Sequence, residues 1–173
     1  MLKVKNEIVR YKSERKFIKN TPKYAPAGQS TQMIIGATGE SDKDIMYSAT
    51  HYYKNYNMKR VYYSGYVPVA EDSRLPSIGS QVPMLRENRL YQTDWLLRFY
   101  GFDIKEILNE CTPNLDIDID PKLSWALRNL NHFPVDINKA DKQMLVRIPG
   151  IGIKSVDRIL KARQFRKLDW EHL

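Results

Sequence analysis

Residues 135–163 have the sequence VDINKADKQMLVRIPGIGIKSVDRILKAR. Apolar residues recur at three- and four-residue intervals on both sides of residues 149–152 (PGIG), and this spacing is typical of amphipathic helices. Proline and glycine interrupt a helical pattern, so these four residues mark a break between two helices. Asn138 is expected to cap the first helix. The segment therefore predicts two short helices joined by a tight hairpin.

The part from 138 to 163 resembles the helix–hairpin–helix motif of DNA repair and DNA uptake proteins. Glycines permit backbone conformations that a Cβ would oppose, and they let the backbone approach a phosphate closely. The start of the second helix offers amides and the positive end of a helix dipole to an anion. The residues expected to bind DNA are Gly150, Ile151, Gly152, Ile153, Lys154, Ser155, Arg158 and Lys161. Phosphates carry no base information, so the predicted binding is indifferent to DNA sequence. A turn that uses glycine only for steric reasons, or a protein-contact module, stays open as an alternative.

The composition around this segment is that of a basic globular protein. The 173 residues are 42% hydrophobic, and 28 lysines and arginines face 20 acidic residues, which gives a net charge of +8. This charge favours a polyanionic partner. We find no run of about 18 apolar residues and no secretory signal, so we expect a cytoplasmic protein without a membrane partner. The single cysteine, Cys111, excludes an internal disulfide and an iron–sulfur cluster built by this chain alone.

The first half of the chain divides into two parts. Residues 1–20 are rich in lysine and arginine and predict a basic, solvated N-terminal arm, with a short helix as the weaker interpretation. Residues 21–84 contain two strand-like runs, 31–38 and 60–67, separated by one helical pattern that Ser41 and Asp44 would cap. A helix between two strands implies a parallel pair. The proline-rich stretch after them predicts a long loop.

Residues 85–173 predict an all-helical region. Asp103 with Glu106 forms an acidic capping box, and Asp120 followed by Pro121 is an N-cap before a proline at the first helical position. Cys111 is expected to be a small core residue in the helix that Asp103 starts. Two features could carry other chemistry, and each has a structural alternative. The aspartates at 116, 118 and 120 could hold a divalent cation or lie in a loop, and the abundant tyrosines could stack on bases or fill the interior.

Four separate blocks of the chain are similar to one protein family. They are GQSTQMIIGA at 28–37, RVYYS at 60–64, RENRLYQTDWLLRFYGF at 86–102 and DIDPKLSWALR at 118–128. Together they resemble the C-terminal half of a radical SAM family of DNA modification or repair proteins, linked to a uracil-DNA-glycosylase-like partner. The resemblance implies an α+β fold, in which a partial (β/α) barrel fragment (21–84) precedes an all-helical helix–hairpin–helix region.

The cysteine motif that binds the cluster in that family belongs to its N-terminal half and is absent here. We therefore expect a fragment or a split gene product, with S-adenosylmethionine and the cluster implied for the parent family only. The strand end Gly36-Ala37-Thr38, with Glu40, is the expected place for S-adenosylmethionine contacts. No catalytic residue and no metal ligand can be assigned.

Three functions follow from these observations. The first is a DNA-binding part of a DNA modification or repair protein. The second is half of a radical SAM enzyme that acts on nucleic acid once the missing barrel half is supplied. The third is a protein–protein interaction module, with that barrel half or the glycosylase-like protein as its partner.

Overall fold

The computed structural model describes residues 1–80 and 82–169. Along the chain they form helices and strands in the order α1 (Leu2–Glu14), β1 (Ser30–Ile35), α2 (Asp42–Tyr56), β2 (Arg60–Gly65), α3 (Met84–Phe99), α4 (Ile104–Ile107), α5 (Pro121–Arg128), α6 (Lys142–Leu145) and α7 (Ile153–Ala162). One 3-10 turn, Leu130–His132, follows α5. The chain divides into two compact units, Met1–Glu87 and Asn88–Leu173, which are called unit 1 and unit 2 below. None of the described helices is long and apolar enough to cross a membrane.

A parallel pair of strands forms the sheet of unit 1. Ser30 lies opposite Arg60 and Ile35 lies opposite Gly65, and α2 connects the two strands. The parallel pairing confirms the prediction made from the strand–helix–strand pattern. Ile34, however, is half exposed while Ile35 is fully buried, so the apolar run of β1 alternates between the two faces instead of being buried throughout.

The start and end of α2 follow the predicted chemistry. The Ser41 side chain accepts a hydrogen bond from the Asp44 N–H, and the Asp44 carboxylate accepts one from the Ser41 N–H. This reciprocal pair is a capping box, which satisfies two amides that the helix leaves without partners. Asn57 ends the helix with φ at +53°, a left-handed conformation that asparagine tolerates.

The N-terminal residues differ from the expected solvated arm. Residues Leu2–Glu14 form α1, whose Ile8 is only 7% exposed. The Lys5 Nζ donates a hydrogen bond of 2.7 Å to the Asn55 carbonyl at the end of α2. The buried Ile8 and this long-range hydrogen bond attach α1 to unit 1. The charge composition of the segment alone predicted that it would be solvated.

Unit 2 is helical, and its core lies around α6 and α7. The buried members of that core are Leu145, Val146, Val156, Ile159 and Leu168. Ile148 and Ile151, which flank the proline–glycine turn, pack against it. The N-caps Asp103 and Asp120 are both confirmed, and Pro121 occupies the first turn of α5 as predicted.

Two predictions for unit 2 are wrong. Asn138 does not cap a helix: its side chain accepts from the Leu168 N–H at 2.8 Å and donates to the Leu168 carbonyl at 3.0 Å. Asp141 caps the shorter α6 instead, by accepting from the Met144 N–H. Cys111 is exposed, because α4 ends at Ile107 and the Asn109 side chain accepts the amides of a turn that follows.

The fold is therefore mixed, with helices and a two-stranded parallel sheet. This agrees with the α+β class predicted from the sequence. In residues 1–80 and 82–169 the sheet has two strands, and two strands are too few to identify a partial (β/α) barrel. Residues 170–173, the end of the predicted helical region, lie outside the described residues.

Candidate nucleic-acid interface

The hairpin turn, defined here as residues 146–152, depends on one glycine for its backbone. Gly150 has φ at +80°, a conformation that side chains with a Cβ oppose. A Cβ built on Gly150 would meet no atom within 4 Å, so the requirement is conformational and not one of space. Gly152 has φ at −89° and ψ at 167°, which any residue can adopt. The prediction that both glycines serve the turn's backbone therefore holds for Gly150 and not for Gly152.

Gly152 is also the N-cap of α7, and it has no side chain that could fill the cap. In the described part of the chain no side chain caps this helix, and the first amide bonded back to Gly152 is that of Val156, at 2.9 Å. The amides of residues 153–155 precede the first intrahelical bond, so they point out of the helix end. A ten-residue helix with an open N-terminus presents N–H groups and a positive dipole end to an anion.

The exposed face of α7 carries the predicted DNA-binding side chains. Val156 and Ile159 are buried, whereas the four side chains expected to meet phosphate are exposed, namely Lys154, Ser155, Arg158 and Lys161. Within residues 1–80 and 82–169, the three cations Lys154, Arg158 and Lys161 form no ion pair. The acidic residue on this helix, Asp157, is neutralised by Lys142 at 2.8 Å. The helix therefore offers unpaired positive charge on one side and apolar packing on the other.

A lysine that sequence reasoning missed supports the hairpin turn. Lys122, in the first turn of α5, is 9% exposed, and its Nζ donates a hydrogen bond of 2.6 Å to the Ile151 carbonyl. The same Nζ lies 5.0 Å from the centre of the Tyr100 ring. Burial lowers the pKa of Lys122 to about 8, and the nearby Asp120 carboxylate opposes this only in part. Nothing in the local sequence separates this lysine from a solvated one.

Two more cations near the motif are structural. Arg147 pairs with Glu106 at 2.9 Å and lies over the Phe102 ring, with 4.6 Å from guanidinium carbon to ring centre. Arg163 donates to the carbonyls of Ile137 and Ala140, at 3.0 and 2.6 Å. Arg147 is thus held by a carboxylate, and the Nη1 of Arg163 is held by two carbonyls of the protein.

The candidate cofactor residues lie together at the carboxyl end of β1. Gly36, with φ at +76°, donates its N–H to the Glu40 carboxylate at 2.7 Å, and the Thr38 hydroxyl donates to the same carboxylate. Partial burial disfavours ionisation of Glu40, but these hydrogen bonds outweigh it and hold the pKa of Glu40 below its usual range. Ala37 lies inside this loop. The loop is closed by its own carboxylate, so the Gly36 amide and the Thr38 hydroxyl are already engaged.

Residues that precede and begin α3 cover this edge of the sheet. A Cβ on Gly36 would collide with the Val82 side chain. Arg86 donates to the buried Asp42 carboxylate at 2.7 Å and to the Glu40 carbonyl at 3.2 Å. Glu87 accepts the Gly65 N–H at 2.9 Å, at the end of β2. The carboxyl ends of both strands are therefore met by side chains of unit 1 itself.

Two of the three aspartates at 116, 118 and 120 use their carboxylates to bind the backbone. Asp116 accepts the amides of Asp118 and Ile119, and Asp120 caps α5. The loop alternative from the sequence analysis therefore accounts for Asp116 and Asp120. The described residues include no group of three or more histidine, cysteine, aspartate or glutamate side chains placed to hold a metal ion.

Unit 2 thus joins an open helix terminus, a glycine-dependent turn and three unpaired cations in one short segment, residues 150–161. We compared the chain with known proteins at the levels of family, sequence and structure. No family model, no curated protein and no solved structure matches it.

Proposed function

We propose that unit 2 binds the DNA backbone without sequence preference through its helix–hairpin–helix. The observation that carries the proposal is the uncapped N-terminus of α7, which follows the left-handed Gly150 and is flanked by exposed Lys154, Ser155, Arg158 and Lys161. Amide N–H groups and a hydroxyl bond phosphate oxygens, while the three cations supply screened attraction. All of these donors address phosphate, so none of them distinguishes one base pair from another.

The supports of the turn favour a preformed site. Lys122 holds the Ile151 carbonyl, and Ile151 and Ile148 pack on the core of unit 2. A turn fixed before binding loses little conformational freedom when a phosphate arrives, which favours affinity from few contacts.

The finer part of the proposal concerns the parent protein. A parallel strand pair joined by a helix is the repeating unit of a (β/α) barrel, and β1, α2 and β2 supply one such unit. This unit is compatible with a barrel fragment, and the sequence resemblance extends the proposal to a radical SAM-like protein that acts on DNA. One cysteine does not fit a cluster that takes three thiolates, so the cluster would be bound by another part of the parent. For S-adenosylmethionine, Glu40 offers acceptor oxygens to hydroxyl groups, whereas the Gly36 amide and the Thr38 hydroxyl are engaged.

A protein contact is the second candidate function of unit 2. Trp95 and Phe99 are 55% and 48% exposed, and their ring centres lie 4.8 Å apart on α3. Exposed aromatic pairs are enriched at protein interfaces. Binding of a protein partner that is insensitive to salt, without retention on heparin, would favour this candidate.

The experiment is a titration of two unrelated DNA duplexes at several salt concentrations. We expect equal affinities for both duplexes and a steep loss with salt. Replacing Lys154, Arg158 and Lys161 by glutamine should reduce the slope of log affinity against log salt by about 3, since each phosphate contact contributes about 0.9.

The matched control replaces three exposed lysines of unit 1, at positions 3, 16 and 19, and changes the net charge equally. If the control loses as much slope as the α7 variant, the interaction is general to the basic protein and the proposed site is wrong. A strong preference for one duplex would also contradict the proposal.

A further inference from the structure

Unit 1 contains a cationic pocket that the proposed function does not use. It has a volume of about 260 Å³ and lies between α1, the loop at 23–28 and the residues that separate α2 from β2. Four of its lining residues are cations, Lys12, Arg15, Lys23 and Lys59, and none of the lining residues is acidic. The pocket therefore concentrates positive charge around a concave space, which is how proteins attract anions.

The acidic residues of α1 do not neutralise this charge. Glu7 and Glu14 both pair with Arg10, at 2.8 and 3.5 Å. Lys12, Arg15 and Lys23 form no ion pair within residues 1–80 and 82–169. The pairing of the two glutamates with an arginine outside the pocket lining leaves three pocket cations available to a ligand.

One wall of the pocket is aromatic. Tyr11 and Tyr24 stack with their ring centres 5.4 Å apart and their planes 27° apart, and Tyr24 is 40% exposed. Ile8 adds a buried apolar side chain beneath them. A tyrosine with one ring face on its neighbour can still take a planar ring on its other face.

The backbone fixes the position of the pocket wall. Ala25 has φ at +44° and Gly28 has φ at +82°, so the loop turns sharply on both sides of Pro26. A Cβ on Gly28 would collide with Lys59 Cγ, which means that the Lys59 side chain lies across this glycine. The bond from Lys5 to the Asn55 carbonyl keeps α1 against the end of α2. The cations thus come from three segments that are held together.

From this combination we infer that the pocket binds a nucleotide, with its phosphate among Lys12, Arg15 and Lys23 and its base against Tyr24. Pockets for drug-sized ligands have about 300–1,000 Å³, so the volume here suits a ligand of the size of one phosphate and one ring. The ligand chemistry, a phosphate joined to an aromatic ring, could come from a free mononucleotide or from the phosphorylated end of a strand. The site belongs to unit 1 and does not depend on the helix–hairpin–helix proposal.

The test measures binding of AMP, adenosine and inorganic phosphate to the full chain by titration calorimetry. We expect AMP to bind more tightly than either part alone. The Lys12→Gln/Arg15→Gln variant should bind AMP at least about tenfold more weakly, because two charge-assisted hydrogen bonds are lost. The matched control is Lys16→Gln/Lys19→Gln, which changes the same charge in the next turn of chain and should leave AMP binding unchanged. Circular dichroism of both variants establishes that α1 is retained.

A third variant, Tyr24→Leu, tests the aromatic wall. It should weaken AMP and leave inorganic phosphate unaffected. A 5′-phosphorylated oligothymidine and its unphosphorylated form then distinguish the two sources. If Lys12→Gln/Arg15→Gln removes a preference for the phosphorylated strand, the ligand is a strand end; with no such preference, it is a free nucleotide.

Three results would overturn the inference. The first is adenosine binding as tightly as AMP, and the second is absence of AMP binding. The third is equal loss in the pocket variant and in its control, which would indicate general charge attraction. Each of these leaves the α7 variants and their DNA slopes untouched, so the two proposals fail separately.

Discussion

Replacing Gly150 by alanine isolates the backbone requirement of the hairpin turn. The Gly150 φ is +80°, and no atom lies within 4 Å of the position that the new Cβ would take. The cost is therefore that of a left-handed conformation alone, about 1–2 kcal/mol. Alanine also restricts the unfolded chain, and this offsets about 0.4–1 kcal/mol of the destabilisation. We expect Gly150→Ala to lower the free energy of unfolding by about 1 kcal/mol.

Gly152→Ala is the matched control because its backbone is unstrained. At φ −89° the alanine fits, and its Cβ would lie 3.6 Å from the Tyr100 Oη, an ordinary contact. The only remaining effect is that alanine restricts the unfolded chain, so the free energy of unfolding should be unchanged or rise by up to about 1 kcal/mol. In the proposed complex the same Cβ would stand where the backbone approaches a phosphate, so DNA binding should fall without a loss of stability.

Urea unfolding followed by tryptophan fluorescence measures both variants. Residues 1–87 contain no tryptophan, and Trp95 and Trp125 belong to unit 2, so the signal reports on the unit that contains the hairpin turn. A Gly150→Ala protein as stable as the parent would refute the role assigned to the left-handed residue. A Gly152→Ala protein with normal stability and normal DNA affinity would show that phosphate does not approach this part of the turn.

Three further predictions concern a buried lysine, the two units and the missing cluster. Between pH 8 and 10.5 the unfolded chain binds more protons at Lys122 than the folded chain does. The free energy of unfolding should therefore rise with pH across that window, by at most about 3 kcal/mol. Urea titrations at several pH values should show this rise in the parent protein and a flatter dependence in Lys122→Met. Residues 84–173, expressed alone, should melt cooperatively and keep DNA affinity by calorimetry and titration; an unfolded fragment would imply one core shared by both units. Anaerobic reconstitution with iron and sulfide should give no stable visible chromophore, since Cys111 is the single thiol, and a brown protein with stoichiometric iron would contradict this.

Local chemistry accounts for the features that could be predicted from the sequence. The caps at Ser41, Asp103 and Asp120 bond amides two or three residues away, so residue type and spacing suffice to place them. The strand–helix–strand order implies parallel pairing for the same reason, because a connection of that length excludes a tight hairpin. The α6–α7 turn follows from its proline and glycines.

One error arises because the partner lies far along the chain, and the other because a nearby side chain binds the backbone. Asn138 is a residue type that often caps helices, but its side chain is hydrogen-bonded to the backbone of Leu168, thirty residues further along the chain. Cys111 follows the apolar spacing of α4, yet Asn109 draws the backbone into a turn and leaves the thiol exposed. In both cases the local pattern was compatible with more than one structure.

The sequence by itself determined that residues 149–152 break two amphipathic helices and that the second helix is basic, because both properties depend on near neighbours. Only the tertiary structure decided which cations remain available to a phosphate. Carbonyls of unit 2 accept hydrogen bonds from Lys122 and Arg163, and a carboxylate pairs with Arg147. The side chains that stay exposed are Lys154, Arg158 and Lys161. A charged side chain is long enough to reach several groups, and its choice among them depends on what the rest of the chain brings within about 3 Å.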